Sequence, residues 1–86
     1  MLLIMKKIEF EPYGLVYTDN VDIYDVAFII IDEEEKTIDL CDQWGMSIGN
    51  IHYKNENEVG YLKYDKDERL TGDYEVIIKN GEVVIT

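Results

Sequence analysis

The sequence has few of the residues from which small disulfide-bonded or metal-bound proteins are built. Cys41 is the single cysteine, so no internal disulfide can form, whereas a secreted domain of this size usually carries several. His52 is the single histidine, and a structural zinc site needs four ligands, usually in closely spaced Cys or His pairs. We therefore predict neither a bound metal nor a cofactor.

Catalytic and nucleotide-binding motifs are also missing. The six glycines are scattered singly and form no phosphate-binding loop. Cys41 and His52 would suit a thiol nucleophile and its base, but Cys41 falls on an apparently half-buried strand, where a lone cysteine usually behaves as a small hydrophobe. With nineteen acids, any carboxylate pair can be proposed for acid–base work, so the acids predict no reaction. We predict that the protein is not an enzyme.

Long apolar runs are absent. No segment approaches the roughly 18 apolar residues of a membrane span. Residues 1–7 place their apolar side chains before Lys6 and Lys7, which is the reverse of the order in a signal peptide. These features predict a cytoplasmic protein that does not bind membranes.

Basic residues are scarce, and the resulting charge is uneven. Eight bases face nineteen acids, for a formal net charge of −11. Residues 8–53 carry eleven of the acids against Lys36 alone. Nucleic acids and anionic membranes attract cationic surfaces, so direct binding to either is disfavoured. The acidity either keeps the protein soluble or forms a functional anionic face.

The residues that are abundant favour β-structure. There are twelve Ile, seven Val and seven Tyr, but only six Leu and one Ala. Branched and aromatic side chains pack well on a pleated surface, whereas Ala and Leu are the strongest helix formers. Eighty-six residues suffice for one core, so we predict a single acidic β-rich domain over residues 1–86.

Alternating apolar residues and turn signals predict a mostly β fold of six or seven antiparallel strands in a meander. Such a meander would form a curved sheet, a partly open barrel or a sandwich, with one short helix at 61–70 as an alternative for that segment. The predicted strands are residues 2–10, 15–17, 21–31, 37–41, 59–64, 74–79 and 82–86, with a further irregular segment around 46–53.

Local patterns refine this layout. Asp25 interrupts the alternation of its strand, and the alternation resumes out of phase after Gly49, so we predict a bulge at each place. Asn80-Gly81 is the pair best suited to a two-residue hairpin turn. Residues 26–31 are apolar at every position, which predicts a central strand covered on both faces.

The candidate binding residues are acids of the first half of the chain, together with one aromatic residue in a loop-like context beside them. Tyr and Trp are enriched in protein interfaces because they combine a rigid apolar body with a polar tip. We predict a partner-binding surface made of Asp19, Asp22, Asp25, Asp32, Glu33, Glu34, Glu35, Asp39, Asp42 and Trp44.

In size, acidity and lack of catalytic motifs, the chain resembles the small phage-encoded inhibitors that imitate DNA, anti-CRISPR proteins among them. It equally resembles bacterial immunity proteins that cap a basic nuclease toxin. These resemblances concern the general profile and assign no residue a role. They imply an inhibitor that binds the basic surface of a nuclease or of another DNA- or RNA-binding effector, by imitating nucleic acid.

Two other interpretations remain open. The protein could be an accessory or self-associating β subunit, for example a homodimer, whose acidity only aids solubility and whose sheet edge pairs with a partner. It could also be a small barrel that binds a small ligand or, weakly, a cation.

Overall fold

The computed structural model describes residues 5–72 and 74–85, so the predictions for residues 2–4, Asp73 and Thr86 lie outside the described residues. The described chain forms seven antiparallel strands in one open sheet and a 3-10 turn over Tyr53–Asn55. The predicted mostly β, antiparallel fold is thereby confirmed. The strands are β1 (Met5–Tyr17), β2 (Asp22–Asp32), β3 (Thr37–Cys41), β4 (Ser47–His52), β5 (Glu58–Tyr64), β6 (Glu75–Lys79) and β7 (Glu82–Val83).

The strand order is β4-β3-β2-β1-β5-β6-β7, so β1 lies in the middle of the sheet. Successive strands are neighbours within β1–β4 and within β5–β7, as a meander requires. The two halves join where β1 pairs with β5, with Tyr13 opposite Tyr64 and Tyr17 opposite Gly60. The sheet therefore consists of two meanders, β1–β4 and β5–β7, which are joined by the pairing of β1 with β5.

Pro12 and Gly14 predict a break between strands 2–10 and 15–17, and the structure corrects this prediction. β1 runs continuously from Met5 to Tyr17, but its register against β2 shifts between the pairs Glu9↔Phe28 and Gly14↔Val26. Residues 10–13 of β1 thus lie opposite a single residue of β2, Ala27. This segment includes the cis Glu11–Pro12 peptide bond. The predicted break is an extended bulge inside a single strand.

The two predicted bulges are confirmed. Between the pairs Gly14↔Val26 and Val16↔Ile23, β2 contributes one residue more than β1, and Asp25 adopts a positive φ of 61°. The register of β4 against β3 shifts next to Leu40 and leaves Ile48 as the extra residue. In both places the interrupted alternation in the sequence marks the irregularity.

The core lies on one face of the sheet. Its side chains come from both meanders and form one cluster: Phe10, Val16, Val26, Ile29, Ile31, Ile38, Leu40, Ile51, Tyr53, Val59, Tyr61, Ile77 and Ile78. The prediction that residues 26–31 are covered on both faces is wrong. Ile29 and Ile31 are fully buried, whereas Phe28 and Ile30 are half-buried on the opposite face, which no second layer of the described chain covers.

The hairpin predicted at Asn80-Gly81 is confirmed, and so is the one that the charged residues 32–36 predict between strands 21–31 and 37–41. Asp32 pairs with Thr37 across the β2–β3 turn, and Lys79 pairs with Glu82 across the turn at Asn80-Gly81. Asn80 and Gly81 have positive φ values of 52° and 76°, as the favoured two-residue turn requires. The predicted final strand is shorter than expected, because β7 ends at Val83.

The predicted alternative helix at 61–70 is wrong, because β5 extends to Tyr64 and a turn follows. Asp65 Oδ1 accepts hydrogen bonds from the backbone N–H groups of Asp67 at 2.8 Å and Arg69 at 3.0 Å, which stabilises this turn. A bridge between Tyr64 and Leu70 closes it. Among the described residues there is no helix of the length and apolarity needed to cross a membrane.

Candidate functional site

An open groove of about 420 Å³ forms where the β1 bulge, the β2 bulge and the β3–β4 turn come together. Three aromatic rings and three carboxylates line it, together with an amide and an aliphatic side chain. Its volume lies within the roughly 300–1,000 Å³ typical of ligand sites. We call it the Trp44 groove; it is lined by Tyr13, Tyr24, Asp25, Asp42, Gln43, Trp44, Ile48 and Glu68.

Irregular backbone brings these side chains together. Tyr13 is the last residue of the extended bulge of β1, and Asp25 lies in the bulge of β2 with a positive φ of 61°. Glu68, in the turn after β5, also has a positive φ of 61°. Bulges and left-handed residues redirect side chains from the regular alternation of a strand. The groove therefore forms where the sheet is least regular.

The β3–β4 turn presents the most exposed aromatic residue of the groove. Asp42 Oδ1 accepts hydrogen bonds from the backbone N–H groups of Trp44 at 3.0 Å and Met46 at 2.9 Å. These bonds fix the turn, which leaves Trp44 77% exposed and Met46 66% exposed. Tyr24 and Ile48 are also exposed large side chains, so the groove and its rim expose apolar area.

The groove is electrostatically negative. None of the ion pairs among the described residues involves Asp25, Asp42 or Glu68. Burial raises the pKa of Tyr64 above its usual value, and the nearby Tyr24 and Asp25 raise it further. Three carboxylates without a basic neighbour in the groove would favour a cationic ligand.

A second groove of about 320 Å³ adjoins the first and shares Tyr13 and Gln43 with it. Phe28 and Glu9 are among the residues that line it. Lys7 Nζ lies 4.4 Å from the centre of the Phe28 ring and 3.1 Å from the Glu9 carboxylate. The ammonium group of Lys7 thus lies over the aromatic ring of Phe28 and beside the carboxylate of Glu9.

Other predicted acids lie at the far end of β3 from Asp42, in the β2–β3 turn. Asp32 Oδ1 accepts hydrogen bonds from the backbone N–H groups of Glu34 at 3.0 Å and Glu35 at 3.1 Å, so it stabilises the turn. Glu33 forms an ion pair with Lys6 at 3.5 Å. These four acids are thus separated from the Trp44 groove by the length of β3, roughly 17 Å for five residues.

The remaining predicted acids lie apart from both groups. Asp39 is on the uncovered face of β3, where its carboxylate accepts hydrogen bonds from Ser47 Oγ at 2.6 Å and Cys41 Sγ at 3.7 Å. Asp19 and Asp22 are exposed at the β1–β2 turn. Of the ten predicted residues, the structure brings Asp25, Asp42 and Trp44 into the Trp44 groove and distributes the others over three further places.

A smaller cavity of about 230 Å³ lies beside the β2–β3 turn and is lined by Glu33, Lys36, Tyr53, Glu82 and Val83. The Tyr53 hydroxyl is buried and has no hydrogen-bond partner among the described residues. Burial raises the pKa of Tyr53, and the negative charge of Glu33 raises it further. A water molecule in this polar cavity would satisfy the hydroxyl.

Cys41 and His52, which were the candidates both for soft metal ligands and for a nucleophile and its base, are far apart. Cys41 pairs with Ser47, whereas His52 pairs with Thr37 at the other end of β3. Burial raises the pKa of the Cys41 thiol, and the adjacent Asp39 carboxylate raises it further. Among residues 5–72 and 74–85, no group of three or more His, Cys, Asp or Glu side chains is placed to hold a metal ion.

Sequence reasoning missed five of the groove residues: Tyr13, Tyr24, Gln43, Ile48 and Glu68. Tyr13 follows Pro12 in the segment predicted as a break, and this proline was the signal in the sequence that the backbone is irregular at Tyr13. Glu68 gave no signal, because it reaches the groove from a loop that follows a strand of the other meander.

Comparisons of the chain with protein-family models, with characterised proteins and with solved structures found no match.

Proposed function

We propose that the protein is a non-enzymatic binding module whose Trp44 groove docks onto a basic surface of another protein. One observation carries the proposal. A tryptophan that is 77% exposed shares a groove with three carboxylates, and none of the three has an ion-pair partner in the described part of the chain.

The two components of the groove would contribute differently to binding. Exposed Trp and Tyr side chains supply apolar area that leaves water on association, and such residues dominate the binding energy of many interfaces. Carboxylates speed the approach of a basic partner and orient it, which raises the association rate at low salt. We therefore expect Trp44 to govern dissociation and the acids to govern association.

The placement of the chemically reactive residues supports a binding role over catalysis. The Cys41 thiol is buried, and its raised pKa keeps it protonated near neutral pH. His52, the only histidine, is opposite Thr37 rather than Cys41, so these residues form no nucleophile–base pair.

The identity of the partner as a nuclease or another DNA- or RNA-binding effector stays a prediction. Imitation of nucleic acid would require the acids to form one continuous row. The acids of the β2–β3 turn and those of the Trp44 groove are instead at opposite ends of β3. The proposal therefore rests on the groove and not on the total charge.

A charge-matched comparison tests the proposal. The immobilised protein would be exposed to a lysate of the cells that make it, in parallel with Trp44→Ala and two double variants. Asp25→Asn/Glu68→Gln removes two charges from the groove, and Glu34→Gln/Glu35→Gln removes two from the β2–β3 turn. Dissociation constants would then be measured for the purified partner at several salt concentrations.

We expect a basic protein to be retained by the wild type and by the turn variant. Trp44→Ala should weaken binding by about 2 kcal/mol, or roughly 30-fold, and the groove variant should lose affinity and most of its salt dependence. Equal losses in the two double variants would show that only net charge matters, and failure to retain any basic protein would also overturn the proposal.

One observation favours a second candidate, association through a sheet edge. β4 is an outermost strand, and its sequence SIGNIH contains no Lys, Asp, Glu or Pro, which are the residues that usually protect an exposed edge. Asn50 is exposed on this strand. If copies of the chain pair through β4, light scattering will show a dimer in the wild type and a monomer for Asn50→Lys; a wild-type monomer at high concentration would contradict this candidate.

A further inference from the structure

We propose that the Trp44 groove binds an arginine side chain of the partner, with the guanidinium stacked on an aromatic ring and paired with the groove carboxylates. This inference rests on the proposed function and adds the chemistry of recognition to it.

Two residues that line the adjoining groove, Glu9 and Phe28, contact a cation of the chain itself. Lys7 Nζ lies 4.4 Å above the centre of the Phe28 ring and 3.1 Å from Glu9 Oε1. One aromatic face and one carboxylate therefore hold an ammonium group of the chain itself. A cation over an aromatic face is attracted by the negative charge of the ring surface, and a neighbouring carboxylate adds to this attraction.

The Trp44 groove contains the same components in larger number, but none of the described residues that line it is a lysine or an arginine. Tyr13, Tyr24 and Trp44 supply aromatic faces, and carboxylates come from three separate segments of the chain. Arg69 follows Glu68 in sequence, but it forms ion pairs with Asp65 at 3.3 Å and Asp67 at 3.4 Å. The groove thus has the composition of a cation site, and its volume of about 420 Å³ admits a long side chain.

Arginine suits this arrangement better than lysine. The guanidinium is planar, so it can stack on the exposed Trp44 ring while its edge donates hydrogen bonds to more than one carboxylate. Asp25, Asp42 and Glu68 come from β2, the β3–β4 turn and the loop after β5, and a forked donor can bridge such separate acceptors. The lysine ammonium is compact and more strongly hydrated, so it loses more on entering the groove.

Three peptides test the inference on the intact protein: acetyl-Gly-Gly-Xaa-Gly-Gly-amide with arginine, lysine or citrulline at Xaa. Citrulline keeps the shape of arginine without its charge. Trp44 is the only tryptophan, so its fluorescence reports on the groove directly. We expect a saturable change with the arginine peptide, affinity roughly fivefold to tenfold weaker for lysine, and no saturable change for citrulline.

Variants of equal charge locate the response. Asp25→Asn/Glu68→Gln should weaken arginine-peptide binding at least about fivefold, or roughly 1 kcal/mol. Glu56→Gln/Glu82→Gln also removes two charges, and neither residue lines the groove, so it should retain the wild-type affinity. Circular dichroism would verify that each variant is folded.

Three results would overturn the inference: no saturable response to the arginine peptide, equal affinity for arginine and citrulline or for arginine and lysine, or equal losses in the two double variants. Its failure is distinguishable from that of the proposed function. A captured partner that depends on Trp44 but places no arginine in the groove would leave the proposed function intact. Arginine-specific peptide binding without any captured protein would support the inference and contradict the proposed function.

Discussion

Asp42 holds Trp44 in place through the backbone: its Oδ1 accepts the Trp44 N–H at 3.0 Å in the β3–β4 turn. The same oxygen accepts the Met46 N–H at 2.9 Å. One carboxylate thus stabilises the turn that exposes the indole and contributes negative charge to the groove beside it. The two roles can be separated by substitution.

We expect Asp42→Ala to lower the free energy of unfolding by roughly 1 kcal/mol, because two backbone donors lose their acceptor. Asp42→Asn retains a carbonyl oxygen for these bonds and removes only the charge. Urea unfolding should therefore distinguish the two variants, with Asp42→Asn close to the wild type. If both variants unfold at the wild-type midpoint, the side chain does not support the turn.

Gly60 is a site where the sheet leaves no room for a side chain. A Cβ atom at this position would overlap the Tyr74 ring and the Glu75 carbonyl oxygen. We expect Gly60→Ala to destabilise the protein by roughly 1–3 kcal/mol in chemical denaturation, as overpacking does. Gly72→Ala is the matched control, since a Cβ atom there would have no described neighbour within 4 Å, and it should change stability by less than about 0.5 kcal/mol.

The raised pKa values of Tyr61 and Tyr74 predict a loss of stability at high pH. Burial and the hydrogen bond that the Tyr61 hydroxyl donates to Glu75 raise the pKa of Tyr61 to about 12, and burial raises the pKa of Tyr74 to about 12. Between pH 10 and 12 the unfolded chain therefore holds fewer protons on these hydroxyls than the folded chain, so stability falls as pH rises. Below pH 10 this contribution is fully present.

Urea unfolding of the wild type and Tyr61→Phe at pH 9 and pH 11 measures this effect. The variant lacks the Tyr61 hydroxyl, so its loss of stability between the two pH values should be smaller than that of the wild type. Other groups that titrate in this range are common to both proteins and cancel in the comparison. Equal losses would contradict the raised pKa of Tyr61.

The Cys41 thiol should react slowly in the folded protein. It is only 3% exposed, and both burial and the Asp39 carboxylate raise its pKa, so little thiolate forms at pH 8. We expect modification by a disulfide reagent to be much slower than in urea, and Asp39→Asn to accelerate it. Ser47→Ala leaves the Asp39 charge in place and should retain the slow rate. Fast modification of the folded wild type would contradict this assignment.

The sequence predicted the strand content and three local irregularities, because each of these has a local cause. Asp25 and the residues around Gly49 interrupt the period of two, and Asn80-Gly81 has the backbone preferences of its turn. The segment at Pro12 was predicted incorrectly, since a bulge within a strand and a break between strands produce the same pattern.

The candidate site was less predictable because it depends on long-range placement. The acids of residues 32–42 are close in sequence, but β3 separates them into groups at its two ends. Conversely, Glu68 joins Asp25 and Asp42 only through the fold. The all-apolar segment 26–31 likewise does not reveal whether a second layer of the protein covers both of its faces. In the described chain, no second layer covers Phe28 and Ile30.

The central position of β1 has a consequence for how the chain reaches its native state. Tyr13 and Tyr64 pair across 51 positions, so the two meanders can unite only after a long loop has closed. Chains dominated by such distant pairings cross the folding barrier slowly, typically within milliseconds to seconds. A cleavage between Asn55 and Glu58 would convert this closure into an encounter of two fragments, and refolding would then depend on their concentration.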